Sequence, residues 1–210
     1  MAVNIIKIKR TTGATAPSSL NAGELAFSGG TGTDVDVFVI GASQSAVTVS
    51  GTGTGGSIST YDIITDFRGG YDTIDFSNNL SLATNTSGTN GNNSILTAGA
   101  GNNNISSHKI IDGIITFDDT GTFSTAVALT DNGDVAAAIN YLGKNDIGDG
   151  NTVAFTATIS GTNNTYIYTQ TSTSGNGSNI SSTGSLVNVQ GILADGITTS
   201  GDPDGVSTHI

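Results

Sequence analysis

Residues 61–77 (YDIITDFRGGYDTIDFS) constrain the fold of this chain more than any other stretch of its sequence. In the first half, polar and apolar residues alternate with a period of two, which is typical of a strand that buries one face. One side of this alternation carries Ile63, Thr65 and Phe67, and the other carries Asp62, Ile64 and Asp66. Arg68-Gly69-Gly70 then provides the positive φ angles that a tight reversal needs, and the alternation resumes at Ile74 and Phe76. The run is therefore predicted to form a β-hairpin or a coil turn, with apolar side chains on one side and carboxylates on the other.

Short extended runs separated by turn-forming residues recur along the whole chain. The 210 residues include 30 Gly, only 2 Pro and many Ser, Thr and Asn, and this length allows one large domain or two small ones. An Ala-rich segment, residues 135–143, is the one helix that the pattern predicts, with Thr130 or Asp131 as its cap and Gly143 at its end. Residues 78–107 and 171–184, rich in Asn, Ser, Thr and Gly, are predicted to be long surface loops.

These patterns predict a mainly β protein. The predicted architecture is a small N-terminal β module followed by a β-sandwich or β-roll-like domain with one short helix. The predicted boundaries are residues 1–41 for the module, 42–200 for the larger domain and 201–210 for a tail that forms a loop or a docking arm.

The charge balance excludes several classes of partner. The chain has 6 Lys and Arg residues against 17 Asp and Glu residues, which gives a formal net charge of −11. A surface this negative repels nucleic acid and anionic membranes, so neither is a predicted partner, whereas it attracts cations such as calcium. The chain has no cysteine, which excludes disulfides and thiolate metal sites, and no apolar run reaches the length of a transmembrane helix.

Three separated segments near the N-terminus carry a resemblance to a known family. They are Ile6-Lys7-Ile8-Lys9-Arg10-Thr11-Thr12, Leu20-Asn21-Ala22-Gly23-Glu24-Leu25-Ala26-Phe27 and Asp36-Val37-Phe38-Val39-Ile40-Gly41. In this order, and with a Pro-containing loop after the first, they resemble the N-terminal module of phage tail-fibre and virion proteins, including that of the major tropism determinant family. The resemblance implies a module that forms trimers and anchors to the virion. It also implies that Lys7, Lys9, Arg10 and Glu24 lie at the surface that docks onto other virion proteins. A solvated edge strand protected by lysines is the simpler interpretation of the same basic residues.

A second resemblance covers much of the remaining chain. Residues 62–67 (DIITDF), two glycines and residues 72–76 (DTIDF) are similar to the C-terminal domain that follows the calcium repeats in RTX-type secreted and surface-layer proteins. Segments further along match the same family: residues 109–117, 135–143, 152–155, 164–168 and 186–192. The calcium-binding nonapeptide repeats of that family are missing, because the nearest stretch, residues 51–59, has no carboxylate. The resemblance therefore implies the β framework more than it implies calcium.

The candidate metal ligands are four aspartates within one short stretch: Asp62, Asp66, Asp72 and Asp75. Calcium takes several oxygen ligands, and close carboxylates with turn carbonyls can supply them. The alternative is that these side chains bond turn amides or face water. Calcium is the one candidate ion, and no other cofactor is predicted.

Catalysis is not predicted. The chain has no Trp, its aromatic fraction is 6%, and its histidines, His108 and His209, fall in predicted loop or tail segments without an accompanying nucleophile and acid. A glycan-processing enzyme is therefore the least supported function.

The sequence favours a phage virion structural protein, either a capsid decoration, a fibre or an attachment protein exposed on the particle. Such a protein is expected to form a homo-oligomer, with a trimer favoured, and to contact capsid or tail proteins and a host surface glycan. The alternative is a calcium-dependent secreted or surface adhesion module of RTX type.

Overall fold

The computed structural model is mainly β, with one α-helix among the residues that it describes. No helix in these segments is long and apolar enough to cross a membrane. The described residues are 8–11, 25–28, 37–40, 45–51, 56–65, 67–69, 71–76, 81–90, 96–98, 103–144, 147, 151–170, 184–194, 196–202 and 205–209.

The elements follow one another along the chain as mostly short strands. The first half supplies β1 (Ile8–Thr11), β2 (Leu25–Ser28), β3 (Val37–Ile40), β4 (Thr48–Ser50), β5 (Ser57–Ser59), β6 (Asp62–Ile64), β7 (Thr73–Phe76), β8 (Ser81–Leu82), β9 (Thr86–Asn90), β10 (Leu96–Ala98) and β11 (Asn103–Ile105). The second half supplies β12 (Ser107–Ile111), β13 (Ile114–Asp118), the helix α1 (Asn132–Lys144), β14 (Asn151–Ile159), β15 (Thr162–Gln170), β16 (Gly184–Gln190), β17 (Thr198–Asp202) and β18 (Gly205–His209).

Eight strands form a large sheet at the centre of the fold. Their order is β6-β16-β15-β14-β13-β12-β9, with β8 beside β14. β14, β15 and β16 are antiparallel neighbours, while β13 pairs with β14, and β6 with β16, in parallel. Consecutive residues of β14, from Thr152 to Phe155, are all buried. This is the pattern of a strand whose sheet is covered on both faces.

The helix α1 covers one face of the large sheet. Phe117 packs edge-on against Tyr141 of the helix and against Phe155, with both ring centroids 5.7 Å away. Phe155 in turn stacks on Tyr166 at 5.3 Å. The aromatic side chains of three strands and one helix thus form the centre of a first core.

A second, four-stranded sheet packs on the opposite face, in the order β17-β18-β7-β3. Phe38 of β3 and Ile74 of β7 share a buried cluster with Ile167 and Val187 of the large sheet. The large sheet therefore lies between the helix and the smaller sheet, and the two sheets form a sandwich. The predicted mainly β class is confirmed.

The predicted helix is present, and Asp131 caps it. The carboxylate of Asp131 accepts the N–H of Asp134 at 2.9 Å, and the carboxylate of Asp134 accepts the N–H groups of Thr130 and Asp131. These reciprocal bonds satisfy amide donors at the N-terminus that have no partner inside the helix. The helix runs to Lys144, one residue beyond the predicted end at Gly143.

The predicted hairpin in residues 61–77 is wrong. β6 belongs to the large sheet, whereas β7 lies between β3 and β18 in the small sheet, and the turn after Phe67 carries the chain from one layer to the other. The predicted sides are also wrong for the first strand, because Ile64 is buried and Ile63 is exposed. Ile63 and Ile64 are both apolar, so the sequence allows either of them to face the core. The parallel pairing of β6 with β16 places Ile64 there.

Residues 78–107 are not one long loop as predicted. They contain β8, β9, β10 and β11, and β9 is an edge strand of the large sheet. The sequence did not predict these strands because the segment is rich in Asn and Gly, which are depleted in strands. The predicted loop at residues 171–184 lies outside the described residues, except that Gly184 begins β16.

The predicted domain boundaries stay a prediction. The small sheet draws β3 from residues 1–41, β7 from residues 42–200 and β18 from residues 201–210. All three predicted segments therefore contribute strands to one sheet, and the prediction of a loop in residues 201–210 is wrong, because β18 lies there and pairs with β7.

The two-residue turn between β14 and β15 gives a test of local backbone strain. Ile159 pairs with Thr162, and the two residues between them, Ser160 and Gly161, have φ angles of 51° and 80°. Asn is favoured over Ser at such a position because it tolerates positive φ. We expect Ser160→Asn to raise the free energy of unfolding by about 0.5 kcal/mol and Ser160→Val to lower it, as measured by urea denaturation. Equal stability of the two variants would contradict this assignment of the turn.

Candidate functional site

The structure separates the predicted acidic residues between two sheets. Asp62 begins β6 at the edge of the large sheet, Asp72 directly precedes β7, and Asp75 lies within β7. Asp66 lies outside the described residues. The connection between the two sheets includes residues 67–69, 71 and 72, which the structure describes, and these residues are called the crossover turn below.

The carboxylate of Asp72 holds the crossover turn closed. Its side chain is 1% exposed, and its Oδ2 accepts the N–H of Arg68 at 2.7 Å. The carbonyl oxygen of Arg68 accepts the N–H groups of Tyr71 and Asp72, at 3.2 and 2.9 Å. Asp72 therefore bonds a turn amide, which is the alternative that the sequence left open beside a metal site.

The turn presents an aromatic side chain to solvent. Tyr71 is 56% exposed, and the guanidinium carbon of Arg68 lies 4.4 Å from its ring centroid. Arg68 also forms an ion pair with Asp72, with 3.9 Å between Nη2 and Oδ1. The cation–π contact and the closed turn together hold the Tyr71 ring over the Arg68 guanidinium at the surface.

Asp62 has a different environment. Its own N–H donates to the Ser45 hydroxyl at 2.8 Å, and that hydroxyl also bonds the carbonyl oxygen of Leu186. Burial raises the pKa of Asp62, and the nearby Ser45 hydroxyl lowers it by less. The result is a carboxyl that ionises less readily than a free aspartate, in a segment tied to β16 through Ser45.

Calcium binding by the four aspartates stays a prediction. Asp62 and Asp75 lie on strands of different sheets, and within the described ranges no three acidic or histidine side chains cluster as a metal ion requires.

The docking residues predicted at the N-terminus fall largely outside the described structure. Lys9 and Arg10 lie on β1, which pairs in parallel with β2. Lys7 and Glu24 precede these two strands and lie outside the described residues. Their assignment to virion docking stays a prediction.

Asp118 organises a loop that the sequence did not single out as a site. Its carboxylate is 1% exposed and accepts the N–H groups of Thr120, Ser124 and Thr125, with the Thr120 and Ser124 hydroxyls at 3.0 and 3.2 Å. Burial raises the pKa of Asp118, but the bonds from Ser124, Thr120 and Thr125 outweigh it and hold the pKa well below its ordinary value. The signal for this loop is an Asp followed by several Ser and Thr residues, a pattern that bonds its own backbone.

His108 was predicted to lie in a loop, and this is wrong. It lies on β12, buried, and its Nδ1 is 2.7 Å from the Tyr141 hydroxyl. No sequence pattern predicts this contact, because it joins residues 33 positions apart on a strand and a helix.

On the described surface Tyr71 is exposed next to the closed turn, whereas His108 is buried and bonds the Tyr141 hydroxyl. Comparison of the chain with protein-family models, with curated proteins and with solved structures finds no match in any of the three.

Proposed function

We propose that this chain is a structural protein of a phage virion, exposed on the particle as a decoration, fibre or attachment protein. The observation that carries the proposal is the ordered resemblance of three N-terminal segments, residues 6–12, 20–27 and 36–41, to virion-anchoring modules. Non-enzymatic binding is the corresponding activity, with other virion proteins as the first partners and a host surface glycan as a second.

The pairing of β1 with β2 supports an assembled state. The two strands form a parallel two-stranded sheet, with Ile8 opposite Leu25 and Thr11 opposite Ser28, and no third strand joins it among the described residues. Two strands alone are marginally stable, and parallel sheets are normally covered on both faces. Other copies of the chain, arranged by symmetry, can supply that cover.

Charge supports the same use of the N-terminus. Lys9 and Arg10 lie on β1 in a chain whose formal net charge is −11, so β1 concentrates cations where the rest of the chain is acidic. A basic strand of this kind suits an acidic surface on a capsid or tail protein. The closed crossover turn and the Asp118 loop then provide rigid polar contacts elsewhere on the surface.

Removal of residues 1–30 tests the proposal. This truncation removes β1 and β2 but keeps β3, whose Phe38 is buried in the second core. We expect the full-length chain to sediment as a trimer and the truncated chain as a monomer, with the melting temperature of the remainder nearly unchanged. Mass spectrometry of purified phage particles should also detect the full-length chain and lose it after the truncation.

Charge reversal at β1 is the matched control. Lys9→Glu combined with Arg10→Glu should weaken incorporation into particles while leaving β1 paired with β2 and the trimer intact. A full-length chain that is monomeric and absent from particles overturns the proposal. If such a monomer also gains thermal stability in millimolar calcium, the RTX-type adhesion module becomes the better assignment.

A further inference from the structure

A buried polar pair joins the large sheet to the helix within an otherwise apolar core. His108 of β12 is 5% exposed and Tyr141 of α1 is fully buried. The imidazole Nδ1 lies 2.7 Å from the Tyr141 hydroxyl, and the two rings meet edge to face at 5.5 Å. This contact is the His108–Tyr141 pair, and it bonds the helix to the sheet directly.

Among the described residues, no counter-charge faces the imidazole. β13 presents Phe117 opposite His108, β9 pairs with it through Thr89, and α1 presents Tyr141, the titratable group that faces it among the described side chains. The charged residues next to this pair in the strands, Lys109 on β12 and Asp118 on β13, occupy positions that point to the other face of the sheet. Burial lowers the pKa of His108, and no neighbouring charge contributes to that shift.

We infer that the His108–Tyr141 pair is an acid-sensitive latch, which holds α1 on the sheet at neutral pH and releases it when the imidazole gains a proton. A protonated imidazole carries a charge that this apolar core cannot neutralise, and burying an unpaired charge is strongly unfavourable. Opening α1 gives the charge access to water. It also exposes the apolar face of the sheet that the helix covers.

The direction of the pH dependence follows from the neutral state of the buried imidazole. A histidine whose pKa is lowered in the folded protein takes up a proton more readily when its site opens. The closed state is therefore fully favoured above pH 6.5, the ordinary pKa of histidine, and its population falls as the pH drops below that value. The population of the open state should rise about tenfold per pH unit below that value, until the folded-state pKa is reached. This inference does not depend on the virion assignment.

Native-state hydrogen exchange of the full-length chain at pH 7 and pH 5 tests the latch. We expect protection factors of α1 amides to fall by more than about tenfold between the two pH values and to lie below those of β15 at both, because α1 opens at a lower free energy than the whole fold. His108→Phe keeps a ring of similar size without a titrating group and should abolish the fall in α1. Tyr141→Phe removes the hydroxyl that holds α1, so protection of α1 should already be lower at pH 7, while the fall on acidification remains.

The second histidine of the chain provides the matched control. His209→Gln leaves His108 as the one imidazole and should behave like the wild type. Equal protection of α1 and β15 amides at both pH values would overturn the latch, because it indicates that both exchange through global unfolding. A fall in α1 protection that persists in His108→Phe also overturns it. If His108→Phe does not fold, the single imidazole NMR signal of His209→Gln decides: an apparent pKa at or above 6.5 for His108 contradicts the inference.

Discussion

Gly113→Ala is expected to lower the free energy of unfolding by about 3 kcal/mol, because two penalties combine at this residue. Gly113 occupies the second position of the β12–β13 turn with a φ angle of 77°, where side chains other than glycine are strained. A Cβ atom there would also press against Ile197, 2.9 Å from its Cδ1, and lie 3.1 Å from Leu82 Cδ2. Ile197 is buried in the second core and cannot move aside without disturbing it. Urea denaturation of the variant measures the loss.

Gly161→Ala is the matched control. Gly161 occupies the same position in the β14–β15 turn, with a φ angle of 80°, but nothing lies within 4 Å of the Cβ that alanine would add. This variant should lose only about 1 kcal/mol, which isolates the backbone term. Equal losses in the two variants would show that Ile197 does not pack against the turn.

The second large effect is expected from Asp118→Asn, which should lower the free energy of unfolding at pH 7 by roughly 3 kcal/mol. The carboxylate accepts three backbone N–H groups from the following loop, and an amide of the same shape cannot accept them equally well. Since hydrogen bonds to an ionised acceptor are the strong ones, the loop that Asp118 organises should lose its order first. Hydrogen exchange of the Thr120, Ser124 and Thr125 amides would report that change.

The pH dependence separates the charge of Asp118 from its shape. Its pKa in the folded protein lies well below the ordinary 3.8, so the wild type gains stability from it above that value. As the pH falls below about 4, the unfolded chain takes up the proton first. The difference in the free energy of unfolding between wild type and Asp118→Asn should then become smaller. Asp119→Asn removes the same charge from an exposed neighbour and should change stability by less than about 0.5 kcal/mol at any pH. A gap that stays constant from pH 7 to pH 3 would contradict this role of Asp118.

The sequence predicted those elements whose signal is local. The Ala-rich run marks α1, and the carboxylates of Asp131 and Asp134 fix its start within a few residues. The segments at residues 152–155 and 164–168, which came from the resemblance to the RTX-type family and not from a local pattern, fall within β14 and β15.

Strand partners could not be predicted in the same way. β6 pairs with β16, so Asp62 lies opposite Val187, and no pattern in either segment specifies the other. The glycines after Arg68 suggested a reversal within one sheet, but the chain passes there from the large sheet to the small one. The sequence predicted that Asp72 faces outward with the other carboxylates. In the structure Asp72 is buried, and its carboxylate closes the crossover turn.

The candidate site shows the same limit. Tyr71 lies only three residues after Arg68, yet their stacking depends on how Asp72 closes the turn. The bond between His108 and Tyr141 requires the register of β12 and the rotation of α1 together. Residue types and spacing determine neither, since both are set by packing across the first core.

The strand order of the small sheet has a consequence for how fast the chain folds. β7 lies between β3 and β18, with Ile74 opposite both Phe38 and Thr208, so this sheet joins segments far apart in the sequence. Forming such pairs requires closing long loops before any contact offsets their entropy, and rates fall as the mean separation of contacts rises. The antiparallel run β14-β15-β16, with its shorter connections, should form earlier. Until the small sheet docks, Ile167 and Val187 remain exposed to water, and during that interval the chain is most prone to associate with other unfolded copies.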